Sequence, residues 1–108
     1  MNLEGKTYIV TGSSMGIGEA IARRIVKLNG RVLVHGLEND LTETVANSLG
    51  MPYIVGDLSL PSVCEGISAK AMEEFGEIHG LVNNAGAVLR NLIEENDADF
   101  WDRVMNIN

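Results

Sequence analysis

Short apolar runs alternate with amphipathic stretches along the 108 residues of the chain. Four runs rich in β-branched residues predict strands at 7–10, 31–34, 52–55 and 80–83. Each run is apolar on both faces, which is typical of parallel strands that helices cover on both sides. Between the runs, apolar residues three or four positions apart predict three helices. Their stripes are Ile17, Ile21, Ile25 and Leu28; Leu41, Val45 and Leu49; and Val63, Ile67, Ala71 and Phe75.

Turn and cap residues agree with this order of elements. A glycine follows the last apolar residue of each predicted helix, where a left-handed residue often ends a helix: Gly30, Gly50 and Gly76. Ser59 is a candidate N-cap for the third helix, and Asp40 or Thr42 for the second. Strands that alternate with helices form consecutive βαβ units, whose right-handed crossovers predict a doubly wound parallel α/β sheet. We expect the strand order 3-2-1-4.

The last residues predict a fourth helix that the sequence does not complete. Acidic residues at 97 and 99 suit a first turn, and Phe100, Val104 and Ile107 form an apolar stripe that runs to the last positions. We therefore expect residues 1–108 to be the N-terminal part of a single, larger domain, truncated within this helix.

Composition and charge exclude several classes of protein. A net charge of −7 argues against a nucleic-acid-binding surface, which needs clustered Lys and Arg. No apolar run is long enough to span a membrane, and no signal segment opens the chain. The single cysteine, Cys64, fits a reducing compartment such as the cytoplasm and is expected to be a buried helix residue. With only two histidines, His35 and His79, no metal site is expected.

A glycine-rich segment, TGSSMGIG at 11–18, joins the first strand to the first helix. Backbone N–H groups and the helix dipole at such a junction can bind phosphate without a cationic side chain. Gly12 can adopt a left-handed conformation, Gly16 lets a ligand approach, and Gly18 lets the helix pack closely. An ordinary βα turn needs only one glycine, so three in this context favour a diphosphate site.

The same segment resembles the T-G-x-x-x-G-x-G motif of the short-chain dehydrogenase/reductase family. Three further segments are similar to that family in register: GDL at 56–58, FGEIHGLVNNAG at 75–86 and FWDRVMNIN at 100–108. His79 departs from the pattern, because Asp is common at this position. The opening segment, MNLEGKTYIVTG, is most similar to ketoacyl reductases. The resemblance covers the whole chain and implies a Rossmann-type fold and a nicotinamide dinucleotide as cofactor.

The resemblance also implies roles for individual residues. The diphosphate would contact the glycine-rich turn at Gly12, Ser14, Met15, Gly16, Ile17 and Gly18. Asp57 matches the residue that accepts a hydrogen bond from the adenine amino group, with Leu58 beside the ring. An ordinary turn role for Asp57 is the alternative. Asn84, Ala85 and Gly86 match residues on the ribose and nicotinamide side, although local bracing is an equally good role for Asn84.

The choice between NAD and NADP is read just after the second strand. A carboxylate at the strand end would favour NAD, and an Arg would favour the 2′-phosphate of NADP. This chain has Gly36 and Leu37 there and Met15 in the turn, so neither marker is present. No cation lies between 32 and 57, whereas Glu38 and Asp40 add negative charge. Like charges disfavour a phosphate, so we expect NAD rather than NADP.

The family's reaction is hydride transfer between the nicotinamide and a carbonyl or alcohol carbon, performed by a Tyr-x-x-x-Lys pair and a Ser. The only tyrosines are Tyr8 and Tyr53, and neither has Lys four residues later. Both lie in predicted strands, where packing is the better interpretation. Asn108 alone matches a member of the catalytic tetrad. The chain is therefore expected to supply the cofactor-binding half of an oxidoreductase and to be inactive alone.

Two other functions remain open on the sequence. The chain could be a non-catalytic nucleotide-binding or regulatory module that uses the same half-fold. It could also be an interaction protein that has lost ligand binding, although the intact glycine-rich turn and Asp57 argue against this. The resemblance further implies a homo-oligomer, a dimer or tetramer, for the complete enzyme. It identifies no substrate beyond the carbonyl or alcohol class.

Overall fold

The strands and helices of the protein follow the predicted order. A computed structural model describes residues 1–84. The strands are β1 (Thr7–Val10), β2 (Arg31–Gly36), β3 (Tyr53–Val55) and β4 (Gly80–Val82). The helices are α1 (Gly16–Lys27), α2 (Asn39–Leu49) and α3 (Pro61–Phe75). The helix predicted over 97–107 lies outside the described residues.

The four strands form one parallel sheet in the order β3-β2-β1-β4. Ile9 in β1 pairs with Leu33 on one side and with Leu81 on the other. This confirms the predicted order, which reverses beside β1: α1 leads to β2 on one side, and α3 leads from β3 to β4 on the other. Ligands of such sheets bind at the carboxyl ends of the strands near this reversal.

Helices cover both faces of the sheet, and strand residues alternate between two cores. Ile9 and Leu33 point to the face that α3 covers, where they pack with Ile67. The adjacent residues Val10 and Val34 point to the opposite face. The partners there come from α1 and α2: Ala22, Ile25, Val45 and Ala46. Burial on both faces explains why the strands lack an alternating polar pattern.

Two of the three predicted glycine helix ends are confirmed. Gly50 (φ 67°) and Gly76 (φ 75°) are the left-handed C-caps of α2 and α3. At the end of α1 the left-handed residue is instead Asn29, with φ of 73°. Gly30 serves packing, because a Cβ there would lie 2.6 Å from Ile25 Cγ2.

The predicted side-chain caps were wrong. Glu38 is the N-cap of α2 and Leu60 that of α3, and neither side chain makes a capping hydrogen bond. Thr42 lies inside α2, where its Oγ1 donates to the Glu38 carbonyl at 2.6 Å. Asp40 lies in the first turn of that helix, and Ser59 precedes the cap of α3 by one residue.

The predicted apolar stripes are buried or half-buried, except in the first turns of α1 and α2, which lie nearest the carboxyl edge of the sheet. Ile17 is 74% exposed in the first turn of α1, and Leu41 is 41% exposed in α2. Cys64 is buried in α3, as predicted. Within residues 1–84, no helix is both long enough and apolar enough to cross a membrane.

Candidate cofactor site

A cavity of about 470 Å³ lies at the carboxyl end of the sheet. The segments after β1, β2 and β3 line it together. Seven of the residues predicted from the sequence are in the lining: Gly12, Ser14, Met15, Gly36, Leu37, Asp57 and Leu58. Three lining residues were not predicted: His35, Glu38 and Leu41. The topology thus brings three separate segments to one cavity.

The three glycines of the turn have different structural roles. Gly12 and Gly16 are left-handed, with φ of 64° and 59°. A Cβ at Gly16 would meet no atom within 4 Å, so that backbone is open to a ligand. Gly18 is helical, and a Cβ there would lie 2.5 Å from Asn84 Nδ2 and would also overlap the Gly12 carbonyl. Gly18 therefore allows the first turn of α1 to pack closely against Gly12 and Asn84.

The first turn of α1 presents backbone donors without acceptors. Its N-cap, Met15, is extended and makes no side-chain cap hydrogen bond. The first amide to bond back is that of Glu19, which donates to the Met15 carbonyl at 3.2 Å. In the described part of the chain, the amides of residues 14–18 donate no hydrogen bond. Unpaired amides and the positive end of the helix dipole are together suited to a bound anion.

The peptide groups of Gly12 point into the protein. Its N–H donates to His35 Nδ1 at 3.0 Å. Its carbonyl accepts from Asn84 Nδ2 at 3.2 Å, and the Asn84 N–H donates to Thr11 Oγ1 at 3.1 Å. Gly12 therefore shapes the turn, and the amides available to an anion are those of residues 14–18.

The structure gives His35 a role that sequence reasoning missed. From the sequence, His35 was considered as a metal ligand and no such role was expected, but the residue is 2% exposed and its side chain bridges two segments of the site. Nδ1 accepts from Gly12, and Nε2 lies 2.9 Å from the Gly56 carbonyl. Burial lowers the pKa of His35, partly offset by the Gly56 hydrogen bond. The one signal in the sequence was a histidine directly after three apolar strand residues, and it does not indicate which segments the ring contacts.

The opposite wall of the cavity carries a carboxylate and apolar side chains. Asp57 Oδ1 accepts from the Ser59 N–H at 2.8 Å, which is the turn role weighed as its alternative. This backbone hydrogen bond lowers the pKa of Asp57 and keeps the exposed carboxylate ionised. Leu58 is buried, whereas Leu37 is 69% exposed. On this wall, Asp57 can accept a hydrogen bond from a ligand, and the leucines can contact a flat apolar ring.

Close packing at Gly36 explains the absence of a side chain at the end of β2. A Cβ there would lie 2.7 Å from Ser14 Oγ and would overlap Thr42 Oγ1. Thr42 is fully buried and cannot move aside easily. The nearest acidic residue in the lining is therefore Glu38, two positions later.

Six of the predicted cofactor-binding residues are not part of this lining, and four of these are described: Gly16, Ile17, Gly18 and Asn84. Ala85, Gly86 and Asn108 lie outside the described residues. Tyr8 and Tyr53 are half-buried strand residues that pack against the core, as predicted. Among residues 1–84, no group of three or more His, Cys, Asp or Glu side chains is placed to bind a metal.

The sheet order and the glycine-rich turn after β1 are those of the N-terminal half of a Rossmann-type fold. The family model described as short chain dehydrogenase matches residues 6–108. The chain belongs to the short chain dehydrogenase family.

Curated proteins and a solved structure that are similar to this chain support this assignment. The 3-oxoacyl-(acyl-carrier-protein) reductase FabG of Salmonella typhimurium is 39% identical over 114 aligned positions, covering 100% of this chain and 45% of that protein. The NADP-dependent (R)-specific alcohol dehydrogenase of Lentilactobacillus kefiri is 31% identical, covering 98% and 44%. The crystal structure of YwfH, an NADPH-dependent reductase involved in bacilysin biosynthesis, superposes with a TM-score of 0.69 at 27% identity. That match covers 73% of this chain and 36% of YwfH. The chain thus spans less than half the length of the curated relatives described here.

Proposed function

We propose that this chain supplies the cofactor-binding half of an NAD(P)-dependent oxidoreductase. The complete protein would transfer a hydride between a nicotinamide dinucleotide and a carbonyl or alcohol substrate. The observation that carries the proposal is the set of unpaired amides at residues 14–18. Ser14 and Met15, the first two of these residues, line the cavity at the carboxyl end of the sheet. No Lys or Arg is among the residues that line that cavity, so backbone donors are the groups suited to a diphosphate.

Each part of the cofactor has candidate contacts. The diphosphate would bind the amides of the glycine-rich turn, among them those of Ile17 and Gly18. Adenine would contact Asp57 and Leu58, because a carboxylate accepts a hydrogen bond from its amino group. Asn84 would lie on the ribose and nicotinamide side, followed by Ala85 and Gly86. When bound, the nicotinamide supplies the carbon that gives or receives the hydride.

Exposed apolar side chains around the cavity support a large organic ligand. Met15, Leu37 and Leu41 are 59%, 69% and 41% exposed and all line the cavity. Ile17, in the adjacent first turn of α1, is 74% exposed. Clustered exposed apolar groups are typical of binding sites, because a bound ligand removes them from water. A dinucleotide is large enough to cover several of them.

For the cofactor type we propose NAD(H). Glu38 and Asp57 line the cavity, and no cation accompanies them in the lining. An additional 2′-phosphate would meet this negative charge, which disfavours NADP(H). The names of two similar proteins, an NADP-dependent alcohol dehydrogenase and an NADPH-dependent reductase, point to the other cofactor. The charges of this cavity are the reason for our choice.

The proposal for NAD(H) is tested by titrating the full chain with NADH and with NADPH while tryptophan fluorescence is measured. We expect a lower Kd for NADH, and we expect Glu38→Gln to reduce the difference because it removes the like charge. Glu73→Gln, which removes the same charge from an exposed residue of α3 outside the lining, is the matched control for a change of surface charge. Tighter binding of NADPH to the wild type would contradict the proposal for NAD(H) and leave the wider function intact.

Oxidation of the reduced cofactor by a panel of ketones and 3-oxoacyl thioesters tests the activity. The 108 residues contain no Tyr-x-x-x-Lys, so we expect turnover only from a longer chain that carries it, where Asn108 would complete the tetrad. The chain alone is expected to be inactive. Saturable cofactor binding by the full protein without turnover of any substrate would favour the alternative, a non-catalytic nucleotide-binding module.

We propose that the complete enzyme acts in the cytoplasm as a homo-oligomer. Cys64 is a buried thiol, and burial raises its pKa, so it is an unreactive residue that needs no oxidising compartment. Sedimentation of the complete enzyme would test this oligomeric state. A dimer or tetramer is expected, and a monomer at micromolar concentration would contradict this part of the proposal.

A further inference from the structure

His35 is connected to the glycine-rich turn by its backbone as well as by its ring. It is the fifth residue of β2, at the edge of the sheet where the cavity lies. Its carbonyl accepts from the Ser13 N–H at 2.7 Å, and its N–H donates to Ser13 Oγ at 3.0 Å. Ser13 Oγ in turn donates to the Val10 carbonyl at 2.8 Å. These bonds fix the distance between β2 and the start of the turn.

The two ring nitrogens of His35 have partners of opposite character. The Gly12 N–H can only donate, so Nδ1 is the unprotonated acceptor. The Gly56 carbonyl can only accept, so Nε2 carries the hydrogen. The neutral ring therefore links the segment after β1 to the segment after β3. Because burial lowers the pKa of His35, this neutral form persists at neutral pH.

The bond to Gly12 acts on a residue whose N–H and carbonyl are both held by side chains. Gly12 is left-handed, and Asn84 holds its carbonyl. His35 holds the N–H of the same residue, so the two side chains together orient the peptide groups on both sides of Gly12, from which the turn continues to residues 14–18. Without an acceptor at Nδ1, this inward-pointing N–H would lose its partner and the turn would relax toward another acceptor.

We propose that His35 is a positioning residue that orients the diphosphate-binding turn and sets its spacing from the adenine-side segment at Gly56 and Asp57. The proposal rests on the proposed function, because the turn is taken to bind the cofactor. His35 acts through Gly12 and needs no contact with the diphosphate itself. Its identity therefore controls cofactor affinity through the shape of the turn.

Two amide substitutions separate the two ring bonds. In His35→Asn, an amide oxygen at the δ position can still accept from the Gly12 N–H, but no atom reaches Gly56. In His35→Gln, an amide nitrogen at the ε position can still donate to Gly56, but no δ acceptor remains for Gly12. The two variants are similar in polarity and are matched controls for each other.

The first measurement is NADH affinity of the full chain. We expect the Kd to rise at least tenfold in His35→Gln and less than threefold in His35→Asn. Rescue by Asn alone is the signature of positioning, because a purely packing role would follow side-chain size. Equal Kd values for the two variants, whether raised or unchanged, would overturn the proposal.

The second measurement needs no cofactor and separates this proposal from the proposed function. Hydrogen exchange of the Gly12 amide in the free protein should be slow in the wild type and in His35→Asn. In His35→Gln it should be at least tenfold faster. Equal exchange rates in all three proteins would overturn the role of His35, whereas failure of the wild type to bind NADH and NADPH would overturn only the proposed function.

Discussion

Replacement of Gly18 by alanine tests the close contact on which the turn depends. The new Cβ would lie 2.5 Å from Asn84 Nδ2 and would overlap the Gly12 carbonyl. Ordinary van der Waals contact begins at 3.4 Å, so Asn84 would have to move by nearly an ångström and the Gly12 carbonyl by more. Overpacking of this kind destabilises proteins by about 1–3 kcal/mol.

Gly66→Ala is the matched control, because Gly66 also lies within a helix. A Cβ there would meet only Ile54 Cδ1 at 3.9 Å, an ordinary contact. Alanine is favoured over glycine in helices by about 1 kcal/mol, so Gly66→Ala should stabilise the protein. Both variants share this helix preference, and the difference between them therefore isolates the overpacking term of about 1–3 kcal/mol.

Urea unfolding of the two variants of the full chain measures this difference. We expect Gly18→Ala to have the lower unfolding free energy by about 1–3 kcal/mol. Its Kd for NADH should rise by a factor of about 5 or more, as expected if at least 1 kcal/mol of the distortion falls on the turn. Equal stability of the two variants, with unchanged NADH affinity, would refute the reasoning.

Three further predictions follow from single contacts. Folding lowers the pKa of His35, so below about pH 6.5 the unfolded chain gains a proton on this ring before the folded chain does, and the unfolding free energy should fall. Subtracting the pH dependence of the unfolding free energy of His35→Gln from that of the wild type isolates this effect. Parallel pH dependences in the two proteins would contradict it. Gly36→Ala should lower the unfolding free energy by about 1–3 kcal/mol in urea, because its Cβ would overlap buried Thr42; wild-type stability would show that the contact can relax. Gly50→Ala should lower the melting temperature, since a left-handed alanine is less stable by about 1–2 kcal/mol and its Cβ has free space; an unchanged melting temperature would contradict this cause.

The hydrophobic pattern predicted the fold well because burial is repeated along each element. Val32 and Val34 alternate with Leu33 across the sheet, so both faces are apolar and the strand type follows from composition alone. The strand order 3-2-1-4 followed from the right-handed βαβ units of a doubly wound sheet, in which the order reverses beside the first strand.

The errors occur where one residue departs from the repeat. Ile17 fits the helical period of α1 but lies in its first turn, which faces the site and is exposed. Ser59 is a good capping residue by type, yet the chain enters α3 one residue later. Such local errors depend on the exact start of each helix, which periodicity does not determine.

The site was predicted by motif, and its internal bonds were not. Seven predicted residues, five of them from the motifs, line one cavity, since the carboxyl ends of parallel strands meet at one edge. The bonds from His35 to Gly12 and Gly56 join residues more than twenty positions apart. A single sequence does not show which distant residues come into contact, so the bridging role of His35 was visible only in the structure.

The most direct test of the central claim is a crystal structure of the full chain with bound NADH. The account predicts diphosphate oxygens within hydrogen-bond distance of amides among residues 14–18, with the Gly12 N–H still on His35. A diphosphate held by lysine or arginine side chains, with those amides facing only solvent, would contradict it.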